Sequence, residues 1–125
     1  EASLASGIPL EQIAKTLVFV DQDSKPLIAV VRADSTVSRH KLESSSHTKS
    51  VRIASDDVAE KVTGYPTGGI APLGHKRKLP VYLDEKVLAN EYVWCGGGTR
   101  TRLVKLKVKD IVGLVSPQIC DISAP

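Results

Sequence analysis

From Gly64 the chain reads Gly-Tyr-Pro-Thr-Gly-Gly-Ile-Ala-Pro-Leu-Gly, a density of glycine and proline that neither a helix interior nor a strand interior carries. The segment must therefore be a shaped loop, and the rest of the chain must fold so as to hold it. Glycines admit positive φ and close backbone approach, while Pro66 and Pro72 fix φ and lower the entropy lost on ordering. Read structurally, this is an elaborate turn in which Gly64 only ends a helix. Read functionally, it presents backbone amides and carbonyls to a ligand in place of side chains.

The flanking residues supply the frame. Ser55 is placed to cap a helix over Asp56–Thr63, with Asp56 and Asp57 in the first turn and Gly64 just past the end, so this helix delivers the chain into the loop. Upstream, residues 2–5 favour helix, Gly7 favours a stop, and residues 9–13 favour a short helical turn. Residues 16–20 and 27–31 are apolar and rich in β-branched side chains, and they flank the turn cluster Asp21-Gln22-Asp23-Ser24-Lys25-Pro26. They predict a β-hairpin, nearly continuous in apolar character and hence buried on two faces. Residues 38–43 predict a short helix, residues 44–49 a loop, and Val51-Arg52-Ile53 a strand.

Further strands are predicted over residues 80–84, 91–95 and 102–109. In the last, Val104, Leu106 and Val108 alternate with Lys105, Lys107 and Lys109, so one face is core and the other basic. Residues 110–114 are too short to assign, and residues 119–122 read as a closing strand. Many short strands with brief helices, and no βαβ alternation, argue for an α+β domain on a curved, mostly antiparallel sheet.

A chain of 125 residues, 42% apolar and 25% charged, forms one domain over 1–125 with a single core. It has no apolar run long enough to cross a bilayer, and nothing at Glu1 resembles an export signal, so the cytosol is the default expectation. Cys95 and Cys120 have no CxxC partner and no nearby histidine, which predicts packing thiols rather than a zinc or redox site. His40, His47 and His75 are too scattered for a metal, and His75 reads as a surface or RNA-contacting group. Without a GxSxG elbow or a GK[ST] after either glycine cluster, nucleophile-elbow and P-loop chemistry fit poorly. The net charge of +3 is unevenly placed, with one basic run at His75-Lys76-Arg77-Lys78 and another over Arg100, Arg102, Lys105, Lys107 and Lys109. Each run is either a solvated face or a phosphate-contacting surface. Lys15, inside the apolar run Ile13-Ala14-Lys15-Thr16-Leu17-Val18-Phe19-Val20, either reaches out to solvent or places an ammonium in a cleft.

The loop after Gly64, the cluster Cys95-Gly96-Gly97-Gly98-Thr99-Arg100 and Lys15 together resemble the prolyl-tRNA synthetase-associated, or YbaK-like, aminoacyl-tRNA editing domains. The resemblance extends through Gln12-Ile13-Ala14-Lys15-Thr16-Leu17-Val18-Phe19, Ala33-Asp34-Ser35-Thr36-Val37-Ser38, Ala54-Ser55-Asp56-Asp57-Val58 and Pro80-Val81-Tyr82-Leu83-Asp84. It implies a mixed, barrel-like sheet flanked by short helices, and a freestanding trans-editing deacylase acting on mischarged tRNA, first of all tRNA(Pro) carrying Cys or Ala. Prolyl-tRNA synthetase is an implied partner.

By the same resemblance Lys15 matches the lysine needed for deacylation, holding a phosphate or the acyl-ester region. Thr67, Gly68, Gly69, Ile70 and Pro72 would line the aminoacyl pocket and Gly97 and Gly98 would add backbone to it; Lys76, Arg77, Lys78 and Arg100 are read from their charge as tRNA contacts. The terminal ribose hydroxyl of the tRNA supplies the missing base, so no metal or organic cofactor is implied. Relatives usually carry a further N-terminal segment, so a strand or helix ahead of Gly7 is expected to be missing. Thr99-Arg100-Thr101 departs from the family pattern, and no acid stands between Gly98 and Asp110 where some relatives have an aspartate. That departure motivates a rival expectation, an inactive RNA-binding module of the same fold.

Overall fold

Two neighbouring apolar runs form the centre of the molecule. In a computed structural model that describes residues 7–99 and 102–125, a 3-10 turn at Leu10–Gln12 leads into β1 (Ala14–Asp21), which pairs antiparallel with β2 (Pro26–Arg32) from Ala14↔Arg32 to Val20↔Pro26. Asp21 closes the hairpin: its Oδ1 accepts from the N–H groups of Asp23 (2.8 Å) and Lys25 (3.0 Å). Successive residues point to opposite faces of a strand. Val18, Ile28 and Val30 are accordingly buried in one core, and Phe19, Leu27, Ala29 and Val31 in another on the far side. The expected two-faced burial is present, with two cores in place of the single one anticipated.

β3 (Thr36–Val37) follows, then α1 (Arg39–Ser46), β4 (Val51–Ile53), α2 (Asp56–Thr63), β5 (Val81–Asp84), a 3-10 turn (Glu85–Ala89), β6 (Tyr92–Gly96), β7 (Leu103–Lys107), α3 (Val108–Val115), β8 (Gln118–Cys120) and β9 (Ser123–Ala124). The main sheet has the order β4-β1-β2-β5-β8; β3–β9 and β6–β7 form separate pairs. β2–β5 and β5–β8 are parallel and the other strand pairs antiparallel, so the mixed, mostly antiparallel expectation holds. The barrel-like expectation is corrected: the sheet is open, with the three-residue strands β4 and β8 at its two edges. α2 and α3 cover one face through Ala59, Val62, Val108 and Ile111, and α1 covers the other through Leu42.

The capped helix forms as expected. Ser55 Oγ accepts from Val58 N–H (3.3 Å), and Gly64 ends α2 at φ 80°. Residues 44–46 belong to α1, not to a loop, because Ser46 Oγ donates back to Leu42 O (2.7 Å) and the turn comes only at His47, at φ 58°. The strand expected through residue 109 stops at Lys107. Val108, Ile111, Val112 and Val115 recur at three- and four-residue spacing, and a helix packs all four against the first core. Of the closing strand expected over residues 119–122, only residues 119 and 120 are in a strand, β8; residues 121 and 122 link it to β9. The expectation for residues 2–5 lies outside the described residues.

Candidate active site

β1 is paired along only part of its outer edge. Ala33 N–H donates to Ile13 O (2.7 Å), which makes Ile13 and Ala33 a hydrogen-bonded pair, so the odd-numbered residues of β1 turn their backbone groups toward β2. The even-numbered residues turn theirs outward. At Val18 the outward carbonyl accepts from Ala54 N–H (2.9 Å), where β4 begins to pair, and Ile13 bridges to Trp94. Between these points Thr16 has no strand partner on its outer side. A cavity of about 930 Å³ runs along this gap and touches every residue from Ile13 to Val18, so it reaches both faces of β1 around its open edge.

Lys15 lines the cavity and is half-buried; it lies on the face of β1 opposite Ala14, Thr16 and Val18. Across the opening stand Thr67, Gly68 and Ile70. Gly69 N–H donates to Pro66 O (2.9 Å), closing a turn with Gly68 at φ 89°, a conformation that glycine adopts without Cβ strain. Glu60 of α2 steadies this turn, its carboxylate accepting from Thr67 N–H (3.2 Å) and Oγ1 (3.4 Å).

The second glycine cluster locks the loop from behind. Gly98 N–H donates to Gly69 O (2.9 Å), and a Cβ on Gly69 would stand 2.5 Å from the carbonyl atoms of Thr99. A Cβ on Gly96 would stand 2.5 Å from Ile70 O. The two loops are thus in backbone-to-backbone contact, which only glycine permits at these positions. Gly96 also lines the cavity.

Of the residues singled out from the sequence, Lys15, Thr67, Gly68 and Ile70 converge on the cavity. Gly69 and Gly98 join the loops behind it, Gly97 packs on Arg102 and Val104, and Pro72 is buried off the lining. Lys76, Arg77 and Lys78 lie beyond the end of α2; Lys78 borders a separate hollow with Leu79, Val81 and Leu114. Arg100 lies outside the described residues. His75 is half-buried: its Nε2 is 2.8 Å from Ala71 O, its ring meets Tyr65 edge-on, and burial lowers its pKa. Tyr65 in turn donates to Leu73 O (2.9 Å), so these two side chains brace the loop from within.

Among the lining residues that sequence reasoning missed, three carry distinct chemistry. Asp56 brings a carboxylate to the cavity from the first turn of α2, Leu103 brings an apolar wall from β7, and Thr16 brings the open backbone edge. The Thr16 hydroxyl is itself buried without a hydrogen-bond partner. Asp56 was legible only as a dipole-compensating acid, and no local signal marked Thr16 as unpaired. Neither Lys15 nor Asp56 has an ion-pair partner among the described residues. Cys95 is buried, and burial pushes its thiol up to about 12, so it stays protonated and unreactive. Cys120 is half-buried, with its pKa raised chiefly by burial.

This arrangement places one cation, one anion, a glycine turn and a bare strand edge around a small apolar-floored cleft. The chain belongs to the aminoacyl-tRNA editing domain family, whose profile matches residues 1–114. A candidate Cys-tRNA(Pro)/Cys-tRNA(Cys) deacylase of Enterococcus faecalis, EbsC, is 31% identical over 94% of this chain and 71% of its own length. The proline–tRNA ligase of Citrifermentans bemidjiense is 38% identical over 62% of this chain, which corresponds to 13% of the ligase. Among solved structures, a candidate trans-editing enzyme for prolyl-tRNA synthetase superposes with a TM-score of 0.87 at 31% identity, over 99% of this chain and 78% of that one.

Proposed function

We propose that this protein hydrolyses the ester joining a wrong amino acid to tRNA, acting in trans as a freestanding editing deacylase in the cytosol. The observation that carries the reading is the convergence of Lys15, the Thr67–Gly68 turn and the unpaired edge of β1 on one cavity, in a chain of the editing family. The relatives described as deacylase and trans-editing enzyme favour hydrolysis over a purely RNA-binding module. Small side chains differ by only about 1–3 kcal/mol per methylene in binding, so a second, hydrolytic site gives discrimination that binding alone does not.

An aminoacyl ester brings an α-ammonium, an ester carbonyl and a neighbouring phosphodiester. Asp56 suits the ammonium and Lys15 the phosphate. The N–H of Gly68 and the outward N–H of Thr16 suit the carbonyl oxygen, where negative charge develops as water attacks; such donors act without reorganising. Gly98 and Gly69 hold the turn in place, and Lys76, Arg77 and Lys78 are offered as outlying tRNA contacts. The amino acid removed is Cys or Ala from tRNA(Pro), with prolyl-tRNA synthetase as the enzyme whose errors are corrected.

The test is deacylation of tRNA(Pro) charged separately with Cys, Ala, Ser, Thr and Pro. Selective release of one small amino acid, lost in Lys15→Ala with an unchanged melting curve, supports the reading. Normal turnover by Lys15→Ala refutes it.

A further inference from the structure

We propose that the outward face of the β6–β7 hairpin is the track along which the single-stranded end of the RNA reaches the cavity. This rests on the deacylase reading and adds a surface to it. In the hairpin Tyr92 pairs with Lys107, Trp94 with Lys105, and Gly96 with Leu103. Val93, Cys95, Val104 and Leu106, of the other parity, turn into the protein: Val93 and Cys95 are fully buried, and Val93 and Leu106 join the first core. Tyr92, Trp94, Lys105 and Lys107 therefore share the opposite face, and Tyr92 is 42% exposed.

The Nζ atoms of Lys105 and Lys107 lie 5.1 Å and 5.9 Å from the centroid of the Tyr92 ring. Among the described residues no carboxylate lies within ion-pairing distance of either. Two unneutralised ammonium groups gathered on one exposed aromatic suit a polyanion whose bases also stack. Lysine-rich patches are poor protein-docking cores, whereas aromatic platforms with flanking cations are the recurring means of holding single strands.

The face also leads to the right place. Gly96 and Leu103, its far end, line the catalytic cavity. From Tyr92 to Gly96 is about 13 Å at ~3.3 Å per residue, a path for the last nucleotides before the ester. The basic run at Lys76-Arg77-Lys78 has no such connection; Lys78 borders the separate hollow.

Trp94 is the only tryptophan in the chain and stands on this face, so its fluorescence reports occupancy directly. The experiment titrates the full protein with uncharged tRNA(Pro), and with the same RNA trimmed of its single-stranded 3′ end. The expected result is Trp94 quenching by the intact RNA and weakened quenching by the trimmed one. Tyr92→Ala should weaken binding about 5- to 140-fold, the range of one lost base–aromatic stack. Lys105→Gln/Lys107→Gln should reduce the slope of log affinity against log salt by about 1.4, two single-strand phosphate contacts. Wild-type affinity and salt slope in the double variant, or RNA binding that leaves Trp94 unperturbed, overturns the proposal. Binding is read without hydrolysis, so the two claims fail separately. An RNA-binding protein that releases no amino acid refutes the deacylase reading and leaves the surface standing. A deacylase indifferent to these substitutions does the reverse.

Discussion

Gly96→Ala tests whether backbone contact between the two glycine loops sets the cavity. The new Cβ would stand 2.5 Å from Ile70 O and 2.9 Å from Gly69 C, both backbone atoms that cannot swing away as a side-chain end can. One loop must retreat by roughly 1 Å to restore van der Waals separation. Overpacking of this kind costs about 1–3 kcal/mol, which for a domain of this size lowers the melting temperature by about 4–12 °C. The displaced loop carries Thr67, Gly68 and Ile70 at the cavity wall. A misplacement near 1 Å costs up to about 100-fold in rate, so kcat should fall even at temperatures well below the transition, where the variant is still folded. Gly113→Ala is the control, since a Cβ there would meet nothing within 4 Å. Thermal unfolding and steady-state deacylation of both variants decide the matter. Gly96→Ala with wild-type melting and turnover would refute the reasoning.

Gly113 sits in α3, and a Cβ there would meet nothing within 4 Å, so Gly113→Ala should raise stability by about 0.5–1 kcal/mol, read as a higher urea midpoint. Asp84 is fully buried and its Oδ1 accepts from Ile122 N–H (2.9 Å); Asp84→Ala orphans that donor and should lower stability by about 2 kcal/mol in denaturant titration. His75 is held neutral by burial, so its pKa lies below the ordinary 6.5 and the unfolded chain binds more protons as the solution is acidified. Its contribution is therefore complete above about pH 6.5 and is lost as pH falls toward the lowered value. His75→Gln should flatten the stability curve on the acid side of about pH 6.5, and an unchanged slope would show that the loop does not sense this ring.

The elements that were legible in the sequence are those fixed by local chemistry. The Ser55 cap, the αL glycine at 64 and the two apolar strands each have one physical solution, and all form where expected. The misassigned segments were decided by tertiary packing. Lys107 to Val115 alternates like a strand at its start and repeats like a helix afterwards, and only the first core chooses where one gives way to the other. The open sheet was misjudged because closure depends on whether short edge strands meet, which no local pattern states. Lys15 and the glycine turn were legible as anomalies, a charge in an apolar run and glycines too dense for regular structure. Asp56 and Thr16 were not, because their residue types fit their local roles and only the fold brings them to the cavity.

Thr16 also shows why the chemistry of this site is sparse in side chains. An unpaired strand edge on an open surface is a liability, since it templates pairing with any extended chain. Here the gap is confined between the Ile13–Trp94 bridge and the Val18–Ala54 bond, too short for a second strand to seat, and it opens into a cavity roofed by the glycine turn. On the proposed deacylase reading, the same confinement that protects the edge preorganises its donor. A site made of backbone needs few side chains with distinctive chemistry, so what guards it is geometric: the positions where no Cβ fits. Substitutions at Gly69 and Gly96 should therefore damage turnover more than most changes to the lining side chains, with Lys15 the exception because its charge has no backbone substitute.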